Sequence, residues 1–258
     1  MKKLVLITAI SLLLAAEAGG EEPPPLSEPV AEFRAAYSAW DGGGFRRAAE
    51  RLAGAGEREP GSFPAHYWHG VARFHLALHL LDGERPGREV RRALDAAEEA
   101  LERALELDEE SGESYALLSA ITGLRIGLNP LSGAWRGSRF QRRAERALEL
   151  SPGNPRVHYL LGTNYYHAPQ RMGGKEKARE HLLRAASLFE KERQTEAGPL
   201  QPRWGYDACL AFLGEVYLEE GDRQRARDYF RRTLAVNPEH GPAREKLREL
   251  ETEKEKNE

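Results

Sequence analysis

Cysteine is almost absent from this chain. Cys209 is the sole cysteine among 258 residues. One thiol makes neither an internal disulfide nor a four-ligand zinc site, so stability must come from packing. Excess basic charge is missing as well: 38 Lys and Arg against 41 Asp and Glu give a formal net charge of −3. That balance argues against nucleic acid as a partner, since such proteins carry a basic face. Long hydrophobic runs are confined to one place, residues 4–16. Catalytic signatures are lacking too: no G-x-S-x-G, H-E-x-x-H or phosphate loop occurs, and Gly173-Gly174-Lys175 lacks the rest of such a loop. No cofactor, catalytic residue or metal site is assigned, and an enzyme is not expected.

The single apolar run is preceded by Lys2 and Lys3 and followed by Ala16-Glu17-Ala18. A basic start, a short apolar stretch and an A-x-A site predict a signal peptide over residues 1–18, cleaved after Ala18. The run is too short for a membrane span, which needs about 20 residues. The mature chain is expected in the periplasm or outside the cell, without stable membrane insertion. Residues 19–29 contain Pro23-Pro24-Pro25 and read as a flexible lead. The repeat domain is placed at 30–250, with a charged disordered tail at 251–258.

Helical periodicity dominates from Val30 onward, in short Ala-rich segments broken by Gly, Pro or Asn. The clearest unit is Leu210, Leu213, Gly214, Tyr217, Ala226, Phe230, Thr233 and Pro238, spaced 3, 1, 3, 9, 4, 3 and 5 residues apart. This resembles the tetratricopeptide repeat (TPR) at nearly every position. The expected small first-helix residues fall at Ala36, Gly70, Ser119, Gly162 and Gly214, separated by 34, 49, 43 and 52 residues. The last three intervals exceed a 34-residue repeat, and the surplus is placed at 76–89, 124–139, 167–174 and 191–204. The resemblance implies an all-α chain: a right-handed superhelix of about five TPR hairpins with insertions, ending in a capping helix at 239–250.

The segments Arg125-Ile-Gly-Leu-Asn-Pro-Leu, Tyr159-Leu-Leu-Gly-Thr-Asn-Tyr-Tyr-His-Ala-Pro, Met172-Gly-Gly-Lys-Glu-Lys-Ala and Pro202-Arg-Trp-Gly are also similar to a group of exported bacterial TPR proteins. Members of that group usually carry an aromatic where this chain has Met172. The likeness spans about half the chain and implies fold and export, but no activity.

In such a superhelix the first helices line the concave wall. TPR register places Tyr67, Val71, Phe74 and His75 of the second repeat there, and Tyr159, Thr163, Tyr166 and His167 of the fourth, with Arg156 one turn earlier. An aromatic groove of this kind suits a peptide anchored by its side chains. The expected function is therefore a non-catalytic scaffold binding a protein or peptide through its concave groove. A second reading of the groove has its aromatics packed against the insertions; the alternative function is a soluble accessory of an envelope transport system. That reading expects a cavity for a small ligand or membrane component near Trp135, Tyr166, Met172 and Trp204. His66, His69, His75 and His79 form two pairs at helical spacing with no completing ligand, so they read as ordinary surface or core-edge histidines.

Overall fold

The computed structural model describes residues 25–82, 87–168 and 174–257. The expected signal peptide, most of the expected lead and Met172 lie outside the described residues. Among those described, eleven α-helices and a short 3-10 turn occur and no strand. They form five consecutive hairpins. These are α1 (Ser27–Ala39) with α2 (Gly42–Arg58), α3 (Phe63–Leu81) with α4 (Arg88–Leu107), α5 (Gly112–Leu128) with α6 (Gly133–Leu150), α7 (Pro155–Tyr166) with α8 (Gly174–Glu192), and α9 (Tyr206–Glu219) with α10 (Arg223–Val236). A last helix, α11 (Gly241–Asn257), packs on α10.

Local chemistry sets these boundaries. Asp41, Ser111, Asn154 and Asp222 each turn a side-chain oxygen onto a free N–H of the following helix. Such caps are worth about 1 kcal/mol apiece. Pro155 occupies the first position of α7, where its missing N–H costs nothing. Within the last hairpin Gly214 lets α9 sit directly on Phe230, since a Cβ there would lie 2.5 Å from the ring. The small residue thus meets an aromatic of α10. Gly70 against Leu101 and Gly162 against Leu182 make the same close approach.

Successive first helices α1, α3, α5, α7 and α9 contact one another in turn and form one continuous wall. The described residues of the 76–89 insertion belong mostly to α3 and α4, 19 and 20 residues long, and residues 124–139 form the end of α5, the 3-10 turn and the start of α6. The insertion after α8 behaves differently. Residues 193–205 are non-helical and lie on the wall of first helices. At the ends, helix extends past the boundaries expected from sequence. α1 begins at Ser27 instead of 30, and α11 runs on through 251 to Asn257, where a disordered tail was expected.

Candidate functional site

The 193–205 segment decides which part of the wall is open. Leu200 offers its carbonyl to Trp68 Nε1 at 2.9 Å, and Gln201 offers its carbonyl to Arg34 Nη2 at 2.8 Å. Trp204 then inserts its ring edge-on to His75, with centroids 4.9 Å apart, and its indole N–H reaches the Tyr67 hydroxyl at 3.4 Å. Gly205 follows at φ +102°, a conformation that favours glycine, and donates its N–H to the Tyr37 hydroxyl at 3.1 Å. Trp204 is only 2% exposed.

The expected groove is therefore filled along its middle. Tyr67, Phe74, Arg156 and Tyr159 are all buried. Thr163 and Tyr166 are half-buried, Tyr166 donating to Glu219 at 2.6 Å, and His167 is exposed. Among the described residues, Trp135, Tyr166 and Trp204 do not come together as the expected cavity, and Met172 lies outside them. Trp204 is core, and Trp135 stands 63% exposed on α6, beside Arg136 and Arg91. Apolar periodicity marks a side chain as wall-facing but cannot tell whether a distant loop will cover that wall.

Beneath Trp204 lies a buried polar cluster. Glu113, at the start of α5, accepts from the Tyr67 hydroxyl, from Asn154 Nδ2 at 2.9 Å and from Arg156 Nε at 2.9 Å. Arg156 also pairs with both Glu192 carboxylate oxygens, at 3.0 and 2.5 Å. Burial alone lowers the Arg156 pKa, but the Glu113 carboxylate and the Glu192 hydrogen bonds more than offset it, so it is raised overall. The cluster is closed, with donors and acceptors matched. It ties three hairpins together and leaves no room for a partner.

A second site lies where the two ends of the repeat array meet. Tyr37 of α1 donates to Asp207 of α9 at 2.8 Å, across 170 residues of sequence. Asn237, after α10, donates both to Asp207 at 2.8 Å and to the Ser38 carbonyl at 3.2 Å. Burial, then the Asp207 carboxylate, hold the Tyr37 phenol well above its usual pKa, so it remains a donor. Next to this network opens a pocket of about 370 Å³. Its walls are largely aromatic and aliphatic, including Tyr37, Trp40, Leu78, Tyr159 and Phe212, and its polar groups include His75 and Asp207.

Trp40 is the one non-glycine residue at positive φ among the described residues, at φ 51°. A residue with a Cβ is strained there by about 1 kcal/mol or more. Its indole N–H bonds Asp82 at 2.8 Å, and its ring meets Phe45 edge-on at 5.6 Å. His75 is 3% exposed and places Nδ1 2.9 Å from the Val71 carbonyl. That nitrogen must be the donor, leaving Nε2 with the lone pair. Burial pushes the imidazole down to about 4, so it is neutral at ordinary pH.

Sequence reasoning did not select Tyr37, Trp40, Asp207 or Asn237. A signal for the first two existed. The register that picks Tyr67, Val71, Phe74 and His75 from Gly70 picks Phe33, Tyr37, Trp40 and Asp41 from Ala36. Asp207 and Asn237 had no such signal, because their partners come from the opposite end of the chain.

The remaining candidates are quickly placed. His66 bonds the Pro60 carbonyl and His69 accepts from Arg73, so the histidines of α3 face separate partners. Among the described residues no three His, Cys, Asp or Glu side chains gather as a metal site. Cys209 is fully buried, donates weakly to the Leu182 carbonyl, and burial pushes its thiol up. Glu98 and Glu102 hold Arg143 of the next hairpin at 3.0 and 2.7 Å. No described helix is long and apolar enough to cross a membrane.

The fold is that of the TPR class of helical-repeat proteins. A scan against protein-family models found no match, and a search of curated proteins found none. Among solved structures, the chain is similar to the HusA haemophore from Porphyromonas gingivalis, with TM-score 0.61 and 22% identity over 75% of this chain and 92% of that one. It is also similar to TTC0263, a thermophilic TPR protein of Thermus thermophilus, with TM-score 0.56 and 17% identity over 86% and 98% of the two chains. A third likeness is to the Cut9-Hcn1 hetero-tetramer of the APC/C, with TM-score 0.55 and 15% identity over 88% of this chain and 37% of that one. These likenesses establish the architecture.

Proposed function

We propose that this chain is an exported, non-catalytic binding scaffold whose binding site is the pocket between the first and last hairpins. The observation that carries this reading is the division of the inner wall. Its middle is filled by Trp204 and its neighbours, while about 370 Å³ stays open beside Tyr37, Trp40 and Asp207. That volume lies in the range of small-ligand sites. It also suits an anchoring side chain of a protein partner. The TPR-type fold supports a protein partner, and HusA is a haemophore, so the same fold also serves a ligand carrier.

Periplasmic or secreted location rests on the residue 1–18 pattern, and N-terminal sequencing of the purified protein checks it by finding Gly19 first. The binding reading is tested by immobilising the full chain and capturing components of the native envelope fraction, in parallel with Ala211→Trp. Ala211 lines the pocket on α9, so tryptophan there fills it. A component held by the wild type and released by the folded variant is expected. Equal retention by both would move the binding site elsewhere and end this reading.

A further inference from the structure

The two inner-wall sites share one construction. At Glu113, a tyrosine hydroxyl from an earlier first helix and an asparagine amide both donate to a buried carboxylate. At Asp207 the same pair recurs, Tyr37 and Asn237 donating at 2.8 Å each. They differ in the third partner. Glu113 has the Arg156 guanidinium, whereas no Lys or Arg pairs with Asp207 among the described residues. Asp207 is nonetheless 6% exposed. A buried carboxylate held only by neutral donors is electrostatically incomplete. Two residues after its asparagine the first site has Arg156, whereas the second has Glu239, which lines a pocket.

We propose that this pocket binds an organic cation, an ammonium or guanidinium on an apolar stem, which supplies to Asp207 the positive charge that Arg156 supplies to Glu113. The inference rests on the pocket being the binding site. Four carboxylates line the pocket, Asp82, Asp207, Glu215 and Glu239, and neither Lys nor Arg is among its lining residues. The cations around the pocket act on its other carboxylates and not on Asp207: Arg244 stands 3.8 Å from Glu239, and Lys246, which pairs with Glu249, also acts on Glu215. The aromatic faces of Tyr37, Trp40, Tyr159 and Phe212 suit a cation held by ring quadrupoles as well as by charge.

His75 points independently to a donor ligand. It is buried, it lines the pocket, and its Nε2 lone pair has no hydrogen-bond partner among the described residues. An N–H of a bound ammonium or guanidinium satisfies it. Trp40, held at strained positive φ with its indole N–H on Asp82, is fixed as one wall before any ligand arrives.

Calorimetric titration of the purified full chain at low ionic strength tests this with choline, its uncharged isostere 3,3-dimethylbutan-1-ol, cadaverine, and the peptide N-acetyl-Gly-Lys-Gly-amide. At least one cation is expected to bind tenfold or more tighter than the neutral alcohol. Asp207→Asn should weaken that cation at least tenfold, and Ala211→Trp should abolish its binding. Tighter binding of the peptide than of cadaverine assigns the cation to a protein partner; the reverse assigns it to a free amine. Circular dichroism melting checks that each variant folds, and Ala208→Phe replaces Ala211→Trp if the latter does not.

Equal or tighter binding of the neutral alcohol, still blocked by Ala211→Trp, overturns the cation inference and leaves the pocket as the site. Failure of all four probes also overturns it. If Ala211→Trp then retains the same envelope components as the wild type, the pocket reading falls with it.

Discussion

Glu113 and Asp207 stand on the same inner wall, each buried and each gripped by one tyrosine and one asparagine. Around Glu113 the protein has added Arg156 and Glu192 and laid Trp204 over Tyr67. Around Asp207 it has added no cation and left a pocket. A solenoid built from similar hairpins thus treats two carboxylates, each the second residue of a first helix, differently. The first is a fastening that holds three hairpins together. The second keeps its charge available next to open volume, which is how a binding site differs from a brace of similar chemistry.

The largest break in this contrast comes from Arg156→Met. It strands the buried Glu113 and the half-buried Glu192, and removing one side of a buried ion pair costs about 3–5 kcal/mol. We expect the upper end of that range in urea unfolding. Adding Glu113→Gln should recover part of the loss, and the resulting double-mutant cycle isolates the coupling. A loss under 1 kcal/mol for the single variant would show that the cluster is not the fastening described.

Trp204→Ala comes next. The ring is fully buried against His75 and Tyr159, and Trp-to-Ala changes in cores cost about 3–5 kcal/mol. About 4 kcal/mol is expected, together with faster amide exchange of residues 193–205. The same substitution should uncover Tyr67 and open the groove that the sequence pattern expected. Unchanged exchange there would mean that Trp204 does not hold the segment down.

His75 sits between the two sites, touching Trp204 on one side and lining the pocket on the other. Burial holds its imidazole at about 4, against about 6.5 in an unfolded chain. The sign follows from proton uptake. Between pH 6.5 and 4 the unfolded chain binds a proton that the folded one excludes, so stability is full above that window and falls as pH falls through it. The loss is about 3 kcal/mol once pH reaches 4. His69, also near 4 from burial and then Arg73, acts in the same direction. Melting curves at pH 7 and pH 4.5 should therefore converge in His75→Phe relative to the wild type; an unchanged gap would assign the acid sensitivity elsewhere.

The architecture was legible because TPR packing is local. Gly214, Tyr217, Ala226 and Phe230 lie within one hairpin, and their spacing reports contacts that the hairpin itself makes. Of the residues that the repeat register picked, Tyr67, Phe74, Arg156 and Tyr159 are buried side chains of first helices. Whether the wall is open was not legible. Leu200, Gln201 and Trp204 reach it from an irregular segment whose partners, Arg34 and Trp68, lie more than a hundred residues away. The pocket was hidden for the same reason, since Tyr37 and Asn237 meet Asp207 only because the first and last hairpins come together. Trp40 and Trp204 illustrate the limit well. Both are tryptophans flanking a helix of the inner wall, yet one lines the open pocket and the other seals the closed cluster.

The smallest expected stability effect sharpens the comparison most. Asp207→Asn removes a buried charge without stranding an opposite one, unlike Arg156→Met. The Tyr37 hydroxyl can still donate to the new amide oxygen. Asn237 cannot simply turn to accept from the new amide, because its Oδ1 takes the Glu239 N–H and its Nδ2 also serves the Ser38 carbonyl. One hydrogen bond is therefore lost, worth about 1 kcal/mol, and relief of the unpaired buried charge offsets part of it. Urea unfolding should show a loss of about 1 kcal/mol or less, well below that of Arg156→Met. A loss of 3 kcal/mol or more would mean that the Asp207 charge is already balanced within the protein. It would then be a second fastening, and the likeness between the two sites would extend to their function.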